Sequence, residues 1–496
     1  MAGIPDMTIS KTVGKYENFS EWFDWIISEA EIYDYGRYPV KGMGIWLPYG
    51  FKIRYYVVEL MRKLLDSTGH EEILMPILIP ETIFRKESEH VRGFEGEVLW
   101  VTHGGREELD VKLVLRPTSE TSISFMESFW IKSYRQLPKK YYQVVSIFRY
   151  ETKMTKPMIR VREITTFKEA HTLHEDFEDA ERQVIEAVDI YRKFFDTLGI
   201  PYIVSRRPQW DKFAGALYTI AFDTLYPDGK TVQIGTVHNL GQTFTKVFDV
   251  KFQRRDEHID YAWQTSYGIS ERVVASIIAH HSDEKGLILP SIVAPYHIVV
   301  IPIQHVEQEK YQKIVEYSKS IVENLIEKGY RVHLDKREEL KPSEKYFEWE
   351  LKGVPIRIEI GYREYKNKAV TIFRRDTLTK KLVPLDSLAE ELEKTFEEIC
   401  KNLNEKAWKW FREHIRIVDN LDEAMELVNN GFITLIPWCG YENCVQTKIE
   451  SVEGVDVLGE LLPISQEILG VSQPLNKKCG FCNREARKLI VVAKRY

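Results

Sequence analysis

Hydrophobic residues in the first 285 positions recur with two different periods. The stretches YGFKIRYYVVELMRKLLDSTG and FEDAERQVIEAVDIYRKFFDTLG repeat apolar residues every three or four positions and predict amphipathic helices. Each closes on a glycine, Gly69 and Gly199, as a left-handed helix end favours. YYQVVSIFRY is rich in β-branched and aromatic residues and MIRVREI alternates, so both predict strands. Because strands cluster between helices without regular alternation, the pattern favours an α+β fold with a largely antiparallel sheet.

The pattern changes near LILPSIVAP, at residues 287–295. Beyond it, PYHIVVIPI, YRVHLD, PIRIEIG and AVTIFRR predict strands, and VEQEKYQKIVEYSKSIVENLIEKG predicts a helix, which together are typical of a compact α/β unit. A third, mixed segment begins near residue 400 and ends in KLIVVAKRY, an apolar run that predicts an ordered strand. We therefore predict three domains, over residues 1–286, 287–400 and 401–496.

Composition narrows the class of protein. A chain of 496 residues is too long for one core, and 44% hydrophobic residues is ordinary for a folded protein. The net charge of −6 creates no overall basic field, so a nucleic acid would have to meet local patches. The N-terminal stretch lacks the basic and apolar regions of a signal peptide, and no apolar run approaches the ~20 residues that span a bilayer. We expect a cytoplasmic, enzyme-sized protein that does not enter a membrane.

Four of the five cysteines form two close pairs, CGYENC (Cys439 and Cys444) and CGFC (Cys479 and Cys482). A disulfide framework is unusual in a large protein without an export signal. Two thiolate pairs with turn-forming glycines fit a tetrahedral zinc site, and four protein ligands leave no open position, so its role would be structural. Cys400 stands alone and is interpreted as an inert, buried thiol.

The stretch FRYETKMTKPMIRVRE, residues 148–163, concentrates three arginines and two lysines between two predicted strands. Each guanidinium offers a planar fork of donors, which suits the oxygens of a polyphosphate. The alternative is a charged hairpin that is merely solvated. Two further segments carry candidate chemistry: LRPTSE places Thr118 and Glu120 on one side of an extended segment, and WQTSYGISERVVASII places Gly268 before a helix with Arg272 in its first turns.

Taken in order, these segments resemble the three motifs of class II aminoacyl-tRNA synthetases. Pro76, where the strand of TGHEEILMPIL stops, looks like the motif 1 proline at a homodimer interface; FRYE with its loop and Arg160 looks like motif 2, and GISER like motif 3. LRPTSE, QIGTVHNLG, WQTSYG, FRRDT and the cysteine pairs are similar to prolyl-tRNA synthetases of the archaeal and eukaryotic type. The resemblance implies an antiparallel-sheet catalytic domain, an α/β anticodon-binding domain and a C-terminal α/β zinc-binding domain.

The resemblance also implies a reaction and its residues. L-Proline would attack ATP at the α-phosphate, with Mg²⁺ bridging the outer phosphates, and the prolyl group would pass to tRNA(Pro). The catalytic residues implied are Arg149 and Arg272; the ATP-binding residues are Arg149, Glu151, Arg160, Gln233, Thr236, Ser270 and Arg272; the proline-binding residues are Thr118, Glu120, Arg149 and His238. A plain strand histidine is the alternative for His238.

One departure from motif 2 concerns adenine. The family places an aromatic residue four positions after the motif 2 arginine, where this chain has Ile164, and an aromatic follows only at Phe167, with an apparent one-residue insertion. Either Phe167 stacks on adenine after a shift of register, or adenine packs on Ile164.

An apolar pocket discriminates weakly against a smaller amino acid, by only ~1–3 kcal/mol per methylene, so alanine and cysteine should enter. The bacterial branch of the family carries an editing domain between motifs 2 and 3, where this chain has ordinary helix and strand signals. We expect no editing domain in this chain.

The resemblance places tRNA recognition in the second domain and returns Tyr496 toward the catalytic site. Single-stranded bases are read by stacking and edge hydrogen bonds, with basic side chains on the phosphates. The candidates near the last strands of that domain are Arg363, Lys366, Arg374 and Arg375. Two readings compete with an active proline enzyme: a catalytically silent RNA-binding paralogue, and a class II synthetase specific for threonine or serine.

Overall fold

The structure, a computed structural model, describes residues 14–86, 96–152, 154–449, 454–474 and 476–496. Lys153 of the arginine-rich stretch, and most of the N-terminal stretch judged above for a signal peptide, lie outside these ranges. The described residues group into two compact units. One contains residues up to 34, 46–53 and 277–405, and the other contains 35–45, 54–276 and 406–496. We name the second the sheet unit and the first the α/β unit.

The helices are α1 (Phe19–Glu29), α2 (Pro48–Asp66), α3 (Glu81–Phe84), α4 (Glu120–Trp130), α5 (Phe177–Leu198), α6 (Thr243–Phe248), α7 (Arg272–His281), α8 (Gln308–Glu327), α9 (Pro342–Leu351), α10 (Tyr362–Lys366), α11 (Leu388–Glu413), α12 (Leu421–Asn429), α13 (Glu442–Ile449) and α14 (Pro463–Leu469). The strands up to residue 269 are β1 (Tyr33–Tyr35), β2 (Gly44–Trp46), β3 (Glu71–Glu72), β4 (Leu78–Pro80), β5 (Leu99–Gly104), β6 (Glu107–Leu115), β7 (Lys139–Phe148), β8 (Glu163–His174), β9 (Ile203–Arg206), β10 (Tyr218–Leu225), β11 (Lys230–Gly241), β12 (Lys251–Gln253), β13 (Ile259–Tyr261) and β14 (Trp263–Ile269). Those that follow are β15 (Ile298–Pro302), β16 (Val332–Leu334), β17 (Ile356–Ile360), β18 (Ala369–Arg374), β19 (Thr379–Pro384), β20 (Ile415–Ile417), β21 (Ile433–Trp438), β22 (Asp456–Leu461) and β23 (Lys488–Arg495).

The sheet unit is built on one large sheet. Among the described residues its strand order is β20-β21-β23-β22-β9-β10-β11-β14-β8-β7-β3. The central pairs, from β9–β10 through β10–β11, β11–β14 and β14–β8 to β8–β7, are all antiparallel. The predicted α+β fold with a largely antiparallel sheet is therefore confirmed.

Strands after residue 410 extend this same sheet. β22 pairs with β9 and with β23, and the end of β23 runs parallel to the start of β11 through Lys230–Lys494 and Thr231–Arg495. The predicted strand at KLIVVAKRY is thus present as β23, inside the same sheet as β7, β8 and β14. The three domain boundaries stay a prediction.

Both helices predicted in the first part of the chain are present. α5 ends at Gly199, whose φ of +67° is the left-handed cap that the sequence predicts. α5 covers one face of the sheet: the Tyr191 ring lies 5.8 Å from that of Phe222, and a side chain on Gly235 would meet the Tyr191 ring at 3.1 Å. Because successive residues of β11 point to opposite faces, Thr236 faces away from α5.

The α/β unit contains a five-stranded sheet, in the described part of the chain, with the order β16-β15-β17-β18-β19. β15 is parallel to β16 and β17, whereas β18 and β19 are antiparallel additions. The predicted strands and the long helix α8 are all present, which confirms the α/β prediction for this segment.

Two local predictions are wrong. The strand expected at MIRVREI begins only at Glu163, because residues 156–160 form a tight turn closed by a Lys156–Arg160 bridge, with Met158 at a φ of +58°. The strand expected to stop at Pro76 is a two-residue strand, β3 (Glu71–Glu72), since the backbone of Met75 pairs with the side chain of Gln143 and not with a neighbouring strand. Pro76 is exposed beyond it.

Candidate functional site

A cleft of about 220 Å³ opens on the sheet unit. It is lined by Thr118, Glu120, Arg149, Ile164, Phe167, Glu169, Asp211, Lys212, Phe213, Thr219, Gln233, Ile234, Gly235, Thr236, His238, Ser266, Gly268, Ile269, Ser270 and Arg272. A second cleft of about 370 Å³, lined by Arg160, Thr231, Val232, Gln233, Arg272, Asp456, Arg495 and Tyr496, shares two residues with the first. We call them the main cleft and the side cleft.

Three arginines predicted from the motifs converge on these clefts. Arg149 lines the main cleft, Arg160 lines the side cleft and Arg272 lines both. Burial, together with the positive charges of Arg149 and Arg160, lowers the pKa of Arg272 to about 10. Cations gathered this closely repel one another, and an anion between them would relieve the repulsion. The arrangement is suited to binding a polyphosphate.

Main-chain oxygens hold these arginines in place. Arg149 Nε donates to the carbonyl of Pro117 at 3.2 Å. Arg272 Nε donates to the carbonyl of Ile159 at 2.8 Å, and its Nη1 donates to the carbonyl of Gln233 at 3.2 Å. These neutral acceptors fix the directions of the two guanidinium groups.

The other residues implied for ATP lie close by. Gln233, Thr236 and Ser270 line the main cleft, where Ser270 Oγ accepts a bond from the main-chain N–H of Arg272 at 3.4 Å. The carboxylate of Glu151 lies 3.7 Å from Arg160 Nε.

The opposite end of the main cleft carries the residues implied for proline. Glu120 is the first residue of α4 and not part of an extended segment as the sequence suggested; its carboxylate accepts bonds from Thr118 Oγ1 and, at 2.8 Å, from Ser266 Oγ. His238 shares a hydrogen bond with Thr219 Oγ1 at 2.8 Å and lies against the Phe213 ring at 4.6 Å. Burial lowers the pKa of His238 to about 3, so the ring is neutral.

Sequence reasoning missed a buried ion pair beneath this end. Glu169 lines the cleft and accepts from the Ser119 N–H at 3.2 Å and from Gln143 Nε2 at 2.8 Å, and its carboxylate lies 3.6 Å from His171 Nε2. Burial alone would raise the pKa of Glu169, but the positive charge of His171, 3.6 Å away, and the hydrogen bond from Ser119 lower it to about 2. The available signal was the alternation of Phe167, Glu169 and His171, which puts two ionisable groups on one face of a buried strand.

The question of the adenine contact has a structural basis. In a regular strand Ile164 and Phe167, three positions apart, would point to opposite faces, yet both line the main cleft. The β7–β8 ladder shifts register between Val145 and Ile147, so that one residue of β7 faces two residues of β8. This bulge absorbs the extra residue noted in the sequence. The Phe167 ring lies over Gly268, where an added Cβ would meet it at 3.2 Å.

Tyr496 lies in the side cleft, beside the arginines. Its hydroxyl bonds to the carboxylate of Asp228 and accepts from Lys156 Nζ at 3.3 Å. The ammonium of Lys230 lies 5.0 Å from the centre of its ring. The C-terminal strand thus carries an aromatic residue to the site, as the resemblance implies.

The four basic residues predicted to meet tRNA have different surroundings in the α/β unit. Arg363 and Lys366 are exposed on α10. Arg374 is held by Asp376 at 3.0 Å and by Glu398. Arg375 is 1% exposed, and its guanidinium bonds to the carboxylate of Asp283 at 2.6 Å and to two main-chain carbonyls. The prediction for Arg375 is therefore wrong, because its charge is used inside the unit.

The four paired cysteines converge in the sheet unit. Their sulfur atoms all lie within 4.8 Å of one another, with Sγ–Sγ distances of 3.5 Å for Cys439–Cys444, 3.6 Å for Cys439–Cys482 and 3.9 Å for Cys444–Cys479. A tetrahedral zinc with Zn–S bonds of about 2.3 Å spaces its sulfurs about 3.8 Å apart. The sulfurs fit that geometry. Cys400, expected to be buried, is exposed on α11, with its Sγ 3.6 Å from Ser291 Oγ.

Comparison with known families assigns three regions. "tRNA synthetase class II core domain (G, H, P, S and T)" matches residues 100–281, "Anticodon binding domain" matches 297–395, and "Prolyl-tRNA synthetase, C-terminal" matches 421–496.

Whole-chain relatives agree with these matches. The chain is 58% identical over 482 residues to a proline–tRNA ligase of Aeropyrum pernix, covering 97% of this chain and 98% of the relative. It is 56% identical over 492 residues to a proline–tRNA ligase of Sulfurisphaera tokodaii, covering 99% and 100%. The solved structure of a Giardia lamblia prolyl-tRNA synthetase in complex with prolyl-adenylate superposes with a TM-score of 0.93 at 33% identity, covering 98% of this chain and all of that one.

Among the described helices, none is long and apolar enough to cross a membrane.

Proposed function

We infer the roles of individual residues from one premise: the chain belongs to the prolyl-tRNA synthetase family and is a proline–tRNA ligase. Such an enzyme joins proline to ATP as prolyl-adenylate, releases pyrophosphate, and transfers the prolyl group to tRNA. The main cleft is the site of the first step, with the nucleotide at the arginine end and proline at the Glu120 end.

The arginines stabilise charge and supply no covalent chemistry. When a proline carboxylate oxygen attacks the α-phosphorus, negative charge accumulates on the crowded phosphorus centre and moves to the leaving pyrophosphate. Arg149 lies between the two ends of the main cleft and bridges the carboxylate and the α-phosphate. Arg160 and Arg272 hold the outer phosphates from the side cleft. Positioning two anions against their mutual repulsion is the larger part of the catalysis.

Magnesium bound with ATP would neutralise part of the phosphate charge. In the side cleft, the oxygens of Thr231 and Asp456 would suit it, beside those that phosphates and waters supply.

Adenine packs on Phe167 in this proposal, because the bulge turns that ring into the main cleft over Gly268. Glu151 accepts from the adenine amino group, while Gln233, Thr236 and Ser270 contact the rest of the nucleoside.

Proline is recognised by charge and by shape. Its secondary ammonium donates to Thr118 Oγ1 and to the Glu120 carboxylate, a charge-assisted contact. Neutral His238 and the Phe213 ring give the pyrrolidine an uncharged wall. Glu169 accepts hydrogen bonds from Thr118 Oγ1 and from the Ser119 N–H, so that the acceptors are already in place before the substrate arrives.

The observation that carries this assignment is the convergence of Arg149, Arg160 and Arg272 beside the buried Thr118–Glu120 pair. The same loop offers a matched control. Arg162 stands two positions from Arg160 but bonds outside the clefts, to the carbonyl of Glu151 at 3.2 Å and to the Tyr150 ring. Arg160→Lys should raise the KM for ATP in proline-dependent ATP–pyrophosphate exchange about tenfold, and Arg162→Lys should leave it unchanged. Equal effects of the two changes would contradict the assignment.

The three predicted domains have different roles in this proposal: residues 1–286 catalyse, 287–400 bind tRNA and 401–496 hold the zinc site. The middle one binds the anticodon of tRNA(Pro), with the exposed Arg363 and Lys366 on its phosphates and Arg374 as a weaker candidate. Replacing both Arg363 and Lys366 with glutamate should remove about two phosphate contacts. The slope of log affinity for tRNA against log salt concentration should become shallower by the corresponding amount. An unchanged slope would argue against this surface.

Zinc in the cysteine cluster is proposed as a structural ion. Four thiolates at tetrahedral spacing leave no place for a substrate. Cys479→Ser should release about one zinc per chain, measured by elemental analysis. It should also lower the melting temperature of the C-terminal segment, whereas the rate of ATP–pyrophosphate exchange should change little.

We further propose a homodimer in the cytoplasm. Pro76, Ile77 and Leu78 form an exposed apolar run, and exposed apolar residues of this kind favour a partner surface. Reduced thiolates suit a cytoplasmic zinc site. Sedimentation that gives the mass of one chain would refute the dimer.

The absence of editing within this chain also remains a proposal. Residues 175–262, between the second and third motifs, form α5, α6 and strands β9–β13 of the sheet unit itself. Rapid hydrolysis of pre-formed alanyl-tRNA by the purified enzyme would refute it.

A further inference from the structure

Arg207 carries a charge into the interior of the sheet unit, although none of the roles above involves it. It follows β9, and its side chain is 1% exposed. A buried cation is costly unless partners replace its water. The guanidinium donates to Asp223 Oδ1 at 2.7 Å, to Gln233 Oε1 at 3.1 Å and to the carbonyl of Leu458 at 2.6 Å. Its partners lie on β10, β11 and β22, so one side chain joins three strands.

The contact with Gln233 fixes the direction of an amide. A glutamine side chain has an acceptor at its oxygen and two donors at its nitrogen, and an arginine can only donate. Arg207 therefore selects the oxygen, which turns the N–H end of Gln233 away from it and toward the clefts that Gln233 lines. The main-chain oxygen of Gln233 in turn accepts from Arg272. Gln233 is thus held by one arginine and holds another.

A second arginine ties the C-terminal strands to the wall of the main cleft. Arg495, at the end of β23, bonds to both carboxylate oxygens of Asp211, at 2.7 and 3.2 Å, and to Asp456 at 3.3 Å. Asp211 lines the main cleft and lies 3.7 Å from Arg207 Nε. Asp211 is therefore shared between Arg207 and the last strand.

The backbone is shaped to allow the contact with Leu458. β22 shifts register between Val457 and Gly459, and Gly459 has a φ of +122°. A Cβ at Gly459 would lie 2.1 Å from the carbonyl oxygen of Arg206. Because only glycine permits this approach, the carbonyl of Leu458 can reach the guanidinium.

We propose that Arg207 is a positioning residue of the nucleotide site, and that strands β22 and β23 act on ATP binding through it. The inference rests on the proposed contact between Gln233 and ATP. Arg207 does not touch the substrates; it directs the donors of Gln233 toward the nucleotide and keeps the main-chain acceptor of Arg272 in place. The C-terminal strands supply one direct contact, the carbonyl of Leu458, and one indirect contact, from Arg495 through Asp211.

Arg207→Lys tests the proposal, because lysine keeps the charge but lacks the planar fork whose two nitrogens reach Leu458 on one side and Asp223 and Gln233 on the other. In proline-dependent ATP–pyrophosphate exchange, the KM for ATP should rise about tenfold, with less than a twofold change in the KM for proline. The matched control is Arg206→Lys, a neighbouring exposed arginine that lies over the Tyr218 ring. It should change neither constant.

A double-mutant cycle separates positioning from stability. If Arg207 acts through Gln233, Arg207→Lys should raise the KM for ATP less than twofold in a Gln233→Ala background. An equal rise in both backgrounds, or equal rises in the two KM values, would overturn the proposal.

Arg495→Gln gives an independent reading should the buried substitution prevent folding, since Arg495 is only partly buried. It should raise the KM for ATP about threefold and leave that for proline unchanged. An unchanged KM for ATP would remove the C-terminal strands from the proposal. Loss of proline-dependent exchange in the unaltered protein would instead refute the proposed function, so the two failures are distinguishable.

Discussion

The two ends of the main cleft solve different recognition problems. At the proline end, Thr118, Glu120 and Glu169 are buried and bond to one another and to their neighbours. At the nucleotide end, Arg149 and Arg272 donate to main-chain carbonyls, which fix the direction of each guanidinium. A small zwitterion offers few atoms to grip, so its acceptors must be fixed beforehand. A polyphosphate carries enough negative charge to offset the repulsion between the arginines of the site.

The largest effect should come from the residue between the two ends. Arg149→Lys keeps a charge but loses the fork that bridges carboxylate and α-phosphate. We expect kcat/KM for exchange to fall by about 10²–10³-fold, the usual cost of removing one preorganised donor at a transition state. A fall confined to the KM of one substrate would show that Arg149 serves one end only.

Glu120→Gln should break the proline end and spare the other. The change removes the negative charge that pairs with the ammonium, and hydrogen bonds to charged groups contribute about 1.5–3 kcal/mol. The KM for proline should therefore rise roughly 10–100-fold, measured by exchange at saturating ATP, while the KM for ATP stays within twofold. Glu127→Gln, a buried carboxylate farther along α4 that does not line the cleft, is a control from the same helix.

Phe167→Leu should weaken the nucleotide end more modestly. Loss of an aromatic stack is worth about 0.5–1.5 kcal/mol, so the KM for ATP should rise roughly 3–10-fold. Ile164→Leu is the matched control, because Ile164 lines the same cleft from the other side of the bulge. A larger effect at position 164 would assign the adenine contact to that residue.

The smallest expected effect is a pH dependence of stability, which comes from the Glu169–His171 ion pair beneath the proline end of the main cleft. The pKa of His171 is raised: burial works against this shift, but the negative charges of the nearby Glu120, Glu169 and Glu127 outweigh it. A raised folded-state pKa means that the stabilisation is complete below the ordinary histidine value of about 6.5 and is lost as pH rises through the folded-state pKa.

Glu169 has the opposite sign. Its stabilisation is complete above the ordinary glutamate value of about 4.3 and is lost as pH falls toward its folded-state pKa of about 2. The melting temperature of the unaltered protein should therefore exceed that of His171→Gln by the largest margin near pH 5–6. Scanning calorimetry should show this margin shrinking by about 2 °C by pH 9. An advantage that grew with pH would mean that the histidine is neutral in the folded protein.

Sequence reasoning served the two ends unequally. Arg149, Arg160 and Arg272 stand in motifs with fixed local spacing, so their roles could be inferred before any contact was known. Glu169 and His171 belong to no such motif, and their importance depends on which face of β8 is buried. The bulge that brings Ile164 and Phe167 to one face is a property of two paired strands, which one strand cannot reveal.

The sequence reveals less where contacts between distant residues decide the structure. Arg375 sits among basic residues in the chain, yet Asp283 binds it inside the α/β unit. The continuation of the catalytic sheet by β20–β23 depends on pairings between residues more than 200 positions apart, such as Lys230 with Lys494. Helices α5 and α8 and strand β23 were predicted because their patterns are local and long.

Exchange of labelled pyrophosphate into ATP, measured with a panel of amino acids, tests the central claim most directly. We predict strong exchange with proline and weaker exchange with alanine and cysteine, by roughly 10–200-fold. Threonine and serine should give no exchange above background. Absence of exchange with proline, as a silent RNA-binding paralogue would give, or exchange with threonine equal to that with proline, would contradict the claim that this cleft joins proline to ATP.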